Sequence, residues 1–140
     1  MTTPRGLRNN NPLNIEKTKG ENPWQGEIVP SKDNRFAQFR TVAYGYRAAF
    51  KLLNNYQRNY GLDTIRKMIT RWAPPSDEGN DTEAYIRDVS ELSGVPADSR
   101  ITTTNRDVMV PIVAAMSFIE NQVEAKMIDV QAGWDLFIKG

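Results

Sequence analysis

"VMVPIVAAMSFIE", residues 108–120, decides how this 140-residue chain folds. The first twelve of these residues carry no charge, and a helix that is apolar on every side belongs in the middle of a domain. The thirteenth is Glu120. At roughly 100° per residue it falls on the line of Met109, Val113 and Met116, where the pattern asks for another apolar side chain. Two readings fit. Either Glu120 marks the point where the helix meets water, or it is a carboxylate held against apolar neighbours. In the second case desolvation and the C-terminal end of the helix dipole both disfavour the charged form and raise the pKa. An acid kept protonated near neutral pH is what glycosidic bond cleavage needs, because the leaving oxygen must take up a proton as the bond breaks. Pro111, near the start of the run, is expected to push the first helical turn a few residues later.

Working outward, Val42, Tyr46, Ala49, Phe50, Leu53 and Tyr56 recur at three- and four-residue steps, which predicts a long amphipathic helix stopped by Gly61. Asp63 is placed to cap a second helix, "TIRKMITRW", with Ile65, Met68, Ile69 and Trp72 on one side. "APPSDEGN" cannot continue it, since two prolines remove donors and fix φ. Asn80 or Asp81 starts a third helix with Tyr85, Ile86, Val89 and Leu92 inward and Gly94 as its stop. A last helix runs from Asp129 through Trp134 to Ile138. The first forty residues show no sustained helical period and are broken by prolines and glycines. They predict loops with one or two short strands, including a small hairpin through "WQGEIV". The expected fold is mainly α, one domain over residues 1–140, with a small irregular or β lobe at the N-terminus.

Composition narrows the chemistry. With no cysteine and no histidine, disulfides, thiolate metal sites and the usual zinc and triad chemistries are excluded, and neither a metal nor a cofactor is expected. There is no apolar run of signal-peptide length near the start and no stretch approaching a membrane span, so no signal peptide and no membrane insertion are expected. The net charge of +1 conceals an uneven distribution: thirteen Lys and Arg against five Asp and Glu up to residue 75, then five against twelve. The halves attract one another across a fold, or the basic half faces an anionic polymer such as a bacterial cell wall. The dense basic run of a nucleic-acid face is absent, so a nucleic-acid partner is not expected.

Oligosaccharides are bound by flat aromatic faces and by side chains that both donate and accept hydrogen bonds. Trp24, Gln25, Phe36, Phe39, Trp72, Tyr85 and the asparagines of "RGLRNNNPLNI" (Asn9, Asn10, Asn11 and Asn14) supply such groups in or beside irregular segments. Each also has a plainer role, the aromatics as core anchors and the asparagines as turn formers.

In order, "RGLRNNNPLNI", "WQG", "RFAQF", "YGYRAAFKLLNNY", "TIRKMITRWAPPSDEGNDTEAY" and "FIEN" resemble a family of small phage and prophage proteins. Its members run as Arg-Gly-Ile-Arg-Asn-Asn-Asn-Pro-Gly-Asn-Ile, Trp-Gln-Gly and Arg-Trp-Ala-Pro-Pro-Glu-Asn, with Thr and Tyr following, and close on His-Glu-Asn-Gly. They are commonly described as virion structural proteins or as lysozyme-like proteins that degrade the cell wall. The likeness covers nearly the whole chain. It departs at Leu13, where a Gly is usual, and at "FIENQV", which keeps Glu120 and Asn121 but lacks the His and the Gly. A second resemblance is to goose-type lysozymes and bacterial muramidases and glucosaminidases, in which the catalytic Glu ends a buried helix. There an Asn-Asn-Leu-Phe-Gly-Ile-Lys-like segment follows that helix and leads to a Trp-x-Gly. Here "NNPLNIEK" and "WQG" resemble that second part while the Glu helix lies at the other end of the chain, which implies a circularly permuted lysozyme-like fold.

The resemblances imply cleavage of bacterial peptidoglycan, by a muramidase or a lytic transglycosylase, with Glu120 as general acid and Tyr85 in support. The implied substrate-binding set is Asn10, Asn11, Asn14, Trp24, Gln25, Phe36, Trp72, Thr82 and Asn121, with the asparagines forming the floor of a cleft facing Glu120. They also imply a monomer made in the host cytoplasm that acts on the wall in the periplasm, as a virion component or after release, with other virion or lysis proteins as further partners. A two-carboxylate route needs a second acid roughly 5–9.5 Å away, sought among Glu16, Glu21, Glu27 and Asp33. The competing class is a non-catalytic virion or wall-binding protein on the same fold.

Overall fold

A computed structural model describes residues 3–19, 22–77 and 79–140. Among them the chain forms six helices and one two-stranded antiparallel sheet. The helices are α1 (Arg5–Arg8), α2 (Val42–Tyr60), α3 (Ile65–Trp72), α4 (Thr82–Ser93), α5 (Arg106–Asn121) and α6 (Met127–Lys139), and the strands are β1 (Glu27–Ile28) and β2 (Gln38–Phe39). The protein is mainly helical with a small N-terminal lobe, as the periodicity predicts.

α2 and α6 pack along each other at the centre of the helical layer. Gly133 allows the approach, since a Cβ there would collide with the Cβ of Tyr46. An aromatic knot closes the contact: Phe50 meets Trp134 edge-on at 5.0 Å, and Trp134 meets Phe137 at 5.1 Å. Met109, Ile112, Val113 and Met116 of α5 are fully buried against this layer and against α4. The Tyr46 hydroxyl and Ser117 Oγ, 2.9 Å apart, satisfy each other inside that contact and tie α5 to α2.

Several details depart from the sequence pattern. α5 begins at Arg106, capped by the Asn105 side chain, and carries Pro111 inside it rather than starting later. A proline in the second turn forgoes a single intrahelical bond near an end that is already short of partners. α5 is also not enclosed on every side. Pro111, Ala114 and Phe118 face an open apolar groove shared with Leu92 and Met127. Leu92, expected inward, is 55% exposed on its edge. The cap of α3 is Thr64, whose hydroxyl accepts from Lys67 N, while Asp63 pairs instead with Lys67 and Arg100. In α4 the capping residue is Asp81. The strand within "WQGEIV" finds its partner not inside that stretch but in β2, with Glu27 opposite Phe39. α6 starts at Met127, two residues before Asp129.

The asparagine run builds the lobe. Asn11 is fully buried and clamps two segments, donating to the carbonyls of Ile15 (2.8 Å) and Ala37 (2.9 Å) while accepting from Ile15 N (2.9 Å). Asn10, at φ 52°, donates to the carbonyls of Phe39 and Arg40. Asn9 donates to Asp33, which also takes both arms of a fork from Arg5 at 2.7 Å. These donors, with the backbone N–H groups of Arg35 and Phe36, hold the Asp33 carboxyl far below the usual carboxylate range.

A candidate active site at the end of α5

The end of α5 is fastened to the N-terminal lobe by Asn121, whose buried amide donates to Pro12 O (2.7 Å) and Ser117 O (2.9 Å). Residue 122 then turns the chain out of the helix at φ 56°, the left-handed conformation that favours glycine, although Gln122 occupies it.

This clamp brings Glu120 against the loop carrying Asn14, a contact that spans 106 residues of chain. Asn14 Nδ2 donates to Glu120 Oε1 at 3.1 Å, and the Tyr85 hydroxyl of α4 donates to Oε2 at 2.8 Å. The nearby Trp72 indole also favours the charged carboxylate. Burial pushes the Glu120 pKa up, and the hydrogen bonds from Asn14 and Tyr85, with the nearby Trp72, only partly offset it, so the carboxyl stays raised above its ordinary value. Tyr85 is pushed well above its own ordinary value by burial and by the neighbouring Glu120 charge, and stays a hydroxyl. An amide N–H can only donate, so Oε1 behaves as the carbonyl oxygen and the acid proton is left to Oε2, whose partner can donate or accept.

Glu120 lines a cleft of about 520 Å³. Of the expected site residues, Asn14, Trp24, Phe36, Trp72 and Tyr85 border this cleft together with Glu120. Phe36 already carries the guanidinium groups of Arg5 and Arg35 against its ring, at 4.6 and 4.9 Å. Leu13, where the family resemblance has glycine, is buried beneath the cleft.

The other expected binding residues have different work. Asn10 and Asn11 spend their amides on the lobe, and Asn121 spends its own on the clamp to Pro12. Thr82 is buried and donates to Ala73 O, which joins the start of α4 to the end of α3 and so sets Tyr85 beside Trp72. Gln25 is exposed and does not border the cleft. Of the acids considered as a second carboxylate, Glu16 borders the cleft but is paired with Arg35 at 3.1 Å. Glu27 accepts from Thr18 and from Trp24 N, Asp33 is enclosed by Arg5 and Asn9, and Glu21 lies outside the described residues. The cleft also includes Asp77, Asn80 and Tyr56, which the sequence did not single out. Asp77 sits in the segment after Trp72 that reads only as a helix breaker, Asn80 reads only as a helix start, and Tyr56 reads only as a core position.

Two buried acceptors lack a conventional donor among the described residues, Asn14 Oδ1 and Asn121 Oδ1. Both abut Gly6, where a Cβ would lie 2.9 and 2.7 Å from them. The absent side chain is what lets the two amides crowd in behind Glu120.

Over 118 residues, 84% of this chain, the sequence is 42% identical to Protein P5 of Pseudoalteromonas phage PM2, and the match covers 71% of that protein. The chain belongs to the same family as Protein P5. No protein-family profile matches the chain. The phage setting of the P5 family agrees with the phage resemblance of the sequence motifs. Among the described residues of this P5-family chain no His, Cys, Asp and Glu side chains converge as a metal site, and no helix is long and apolar enough to cross a membrane.

Proposed function

We propose that this chain cleaves the glycan strands of bacterial peptidoglycan, with Glu120 as general acid, on a lysozyme-like fold whose chain order is circularly permuted. The observation that carries the proposal is the Glu120 carboxyl itself. It lies in the last turn of the largely buried α5, is raised in pKa by burial, and is held by Asn14 and Tyr85 on an aromatic-lined cleft. The permuted order is supported by the contact between the asparagine segment near residue 14 and the last turn of α5, through Asn14 with Glu120 and Pro12 with Asn121.

In the forward step Glu120 Oε2 gives its proton to the glycosidic oxygen, and the sugar left behind develops oxocarbenium character. The resulting carboxylate is stabilised by the N–H of Asn14 and the O–H of Tyr85. It then accepts a proton from the attacking nucleophile, either water, as in a muramidase, or the sugar's own hydroxyl, as in a lytic transglycosylase. Among the described residues, Glu16 and Asp77 are the other carboxylates on the cleft, and the Glu16 charge is shared with Arg35. Incubation with purified peptidoglycan followed by mass analysis tests the proposal. Hydrolysed fragments identify a muramidase, and fragments lighter by one water identify a transglycosylase. Binding without released fragments would support a wall-binding virion protein instead.

A further inference from the structure

Next to the cleft a second, shallower groove shares Leu52 and Tyr56 with it as a common wall. It follows α2 outward from Glu120, and its far side is formed by α3. The Arg71 guanidinium lies 3.9 Å from the centre of the Tyr60 ring and 5.3 Å from that of Tyr56. Tyr60 is 57% exposed, so this stack is at the surface and its outer edge faces solvent.

What separates Arg71 from Lys67 and Arg35 is that no acid among the described residues pairs with it. Lys67, in the same groove, is held by Asp63 at 3.0 Å, and Arg35, at the other end of the cleft, is held by Glu16. Arg71 makes no ion pair among the described residues. A guanidinium held over aromatic rings is kept in place, while the N–H groups turned towards solvent can still donate. That is a preorganised fork for a carboxylate.

We propose that this groove is a second binding site and that Arg71 receives a carboxylate carried by the glycan one or more sugar units from the scissile bond. The proposal rests on the glycan-cleaving reading and adds to it a reason to prefer an acid-bearing strand over neutral chitin. In peptidoglycan such a carboxylate belongs either to the lactyl ether of a muramyl sugar or to the stem peptide attached there. The Tyr56 edge, 6.4 Å from Trp72 between ring centres, connects the cleft to the groove and gives a continuous aromatic wall for the intervening sugar.

The test uses the Glu120→Gln protein, which holds glycans uncut, with and without Arg71→Gln, titrated by tryptophan fluorescence. Three probes are compared: chitooligosaccharide, peptide-free muramyl oligosaccharide with a free lactyl carboxylate, and the same oligosaccharide bearing its stem peptide. Loss of a bidentate charged contact should weaken an acid-bearing probe about ten- to a hundredfold and leave chitooligosaccharide binding unchanged. Loss with the peptide-free probe assigns the lactyl group, and loss only with the peptide-bearing probe assigns the stem. If Arg71→Gln binds all three probes like its parent, the inference is overturned while the cleavage reading stands. If no glycan binds either protein, both fall.

Discussion

Replacing Tyr85 with Phe removes one hydroxyl and leaves the ring in place, so it probes what holds the Glu120 charge. The O–H donates to Oε2 at 2.8 Å. A hydrogen bond to a charged group contributes about 1.5–3 kcal/mol and one to a neutral group about 0.5–1.5 kcal/mol. The hydroxyl therefore favours the carboxylate over the acid by about 1 kcal/mol, and its loss should raise the Glu120 pKa further, by a little under one unit at about 1.4 kcal/mol per unit. Because the folded pKa of Glu120 already lies above its unfolded value, this group costs stability as pH climbs from the unfolded value, about 4.3, through the folded one. Raising the folded pKa enlarges that cost. Denaturant melts of both proteins at about pH 4 and about pH 9 isolate the effect, since the packing change is common to both conditions. Tyr85→Phe should lose about 1 kcal/mol more, relative to wild type, at the higher pH. The alkaline limb of any wall-degrading activity should move up by the same fraction of a unit. An equal penalty at both pH values would show that Tyr85 does not bear on the Glu120 charge.

Two further outcomes follow from the backbone around the site. Gln122→Gly should stabilise the protein by about 1 kcal/mol, or about 3 °C in Tm, by removing the left-handed strain at φ 56° with only an exposed side-chain bond to Ile119 O given up. A thermal melt that falls would mean that the glutamine contact outweighs the strain. Gly6→Ala places a methyl group 2.7–2.9 Å from Asn121 Oδ1, Asn11 O and Asn14 Oδ1 and should destabilise by about 1–3 kcal/mol. It should also push the Glu120 pKa up by displacing Asn14. Chemical denaturation together with a pH–rate profile checks both, and full stability with an unmoved profile would count against the crowding behind Glu120.

The sequence made legible what local chemistry dictates. Gly61 and Gly94 end α2 and α4 in left-handed conformations, and Glu120 falls on the buried line of Met109, Val113 and Met116. It was less informative wherever one residue type has two uses. A buried asparagine that clamps its own backbone and one that meets a ligand have the same letter, so Asn10, Asn11 and Asn121 looked like cleft residues although Asn14 alone among the asparagines of the run reaches Glu120. Thr82 likewise serves to set α4 on α3. Strands of two residues are too short to show alternation, so the pairing of Glu27 with Phe39 left no pattern to read. Contacts such as Arg5 with Asp33, or Arg71 over Tyr60, depend on chain segments brought together only by folding.

The central claim is that Glu120 transfers a proton to a glycosidic oxygen. Glu120→Gln keeps the shape and most hydrogen bonding of the side chain but removes that proton. Release of soluble fragments from purified peptidoglycan is to be measured for the wild-type and Gln proteins, with folding of both checked by circular dichroism. The account predicts a fall of about 10²- to 10⁴-fold in release, with stability unchanged or slightly raised, most at high pH where the wild-type acid must ionise. A folded Gln variant that degrades the wall at the wild-type rate would contradict it.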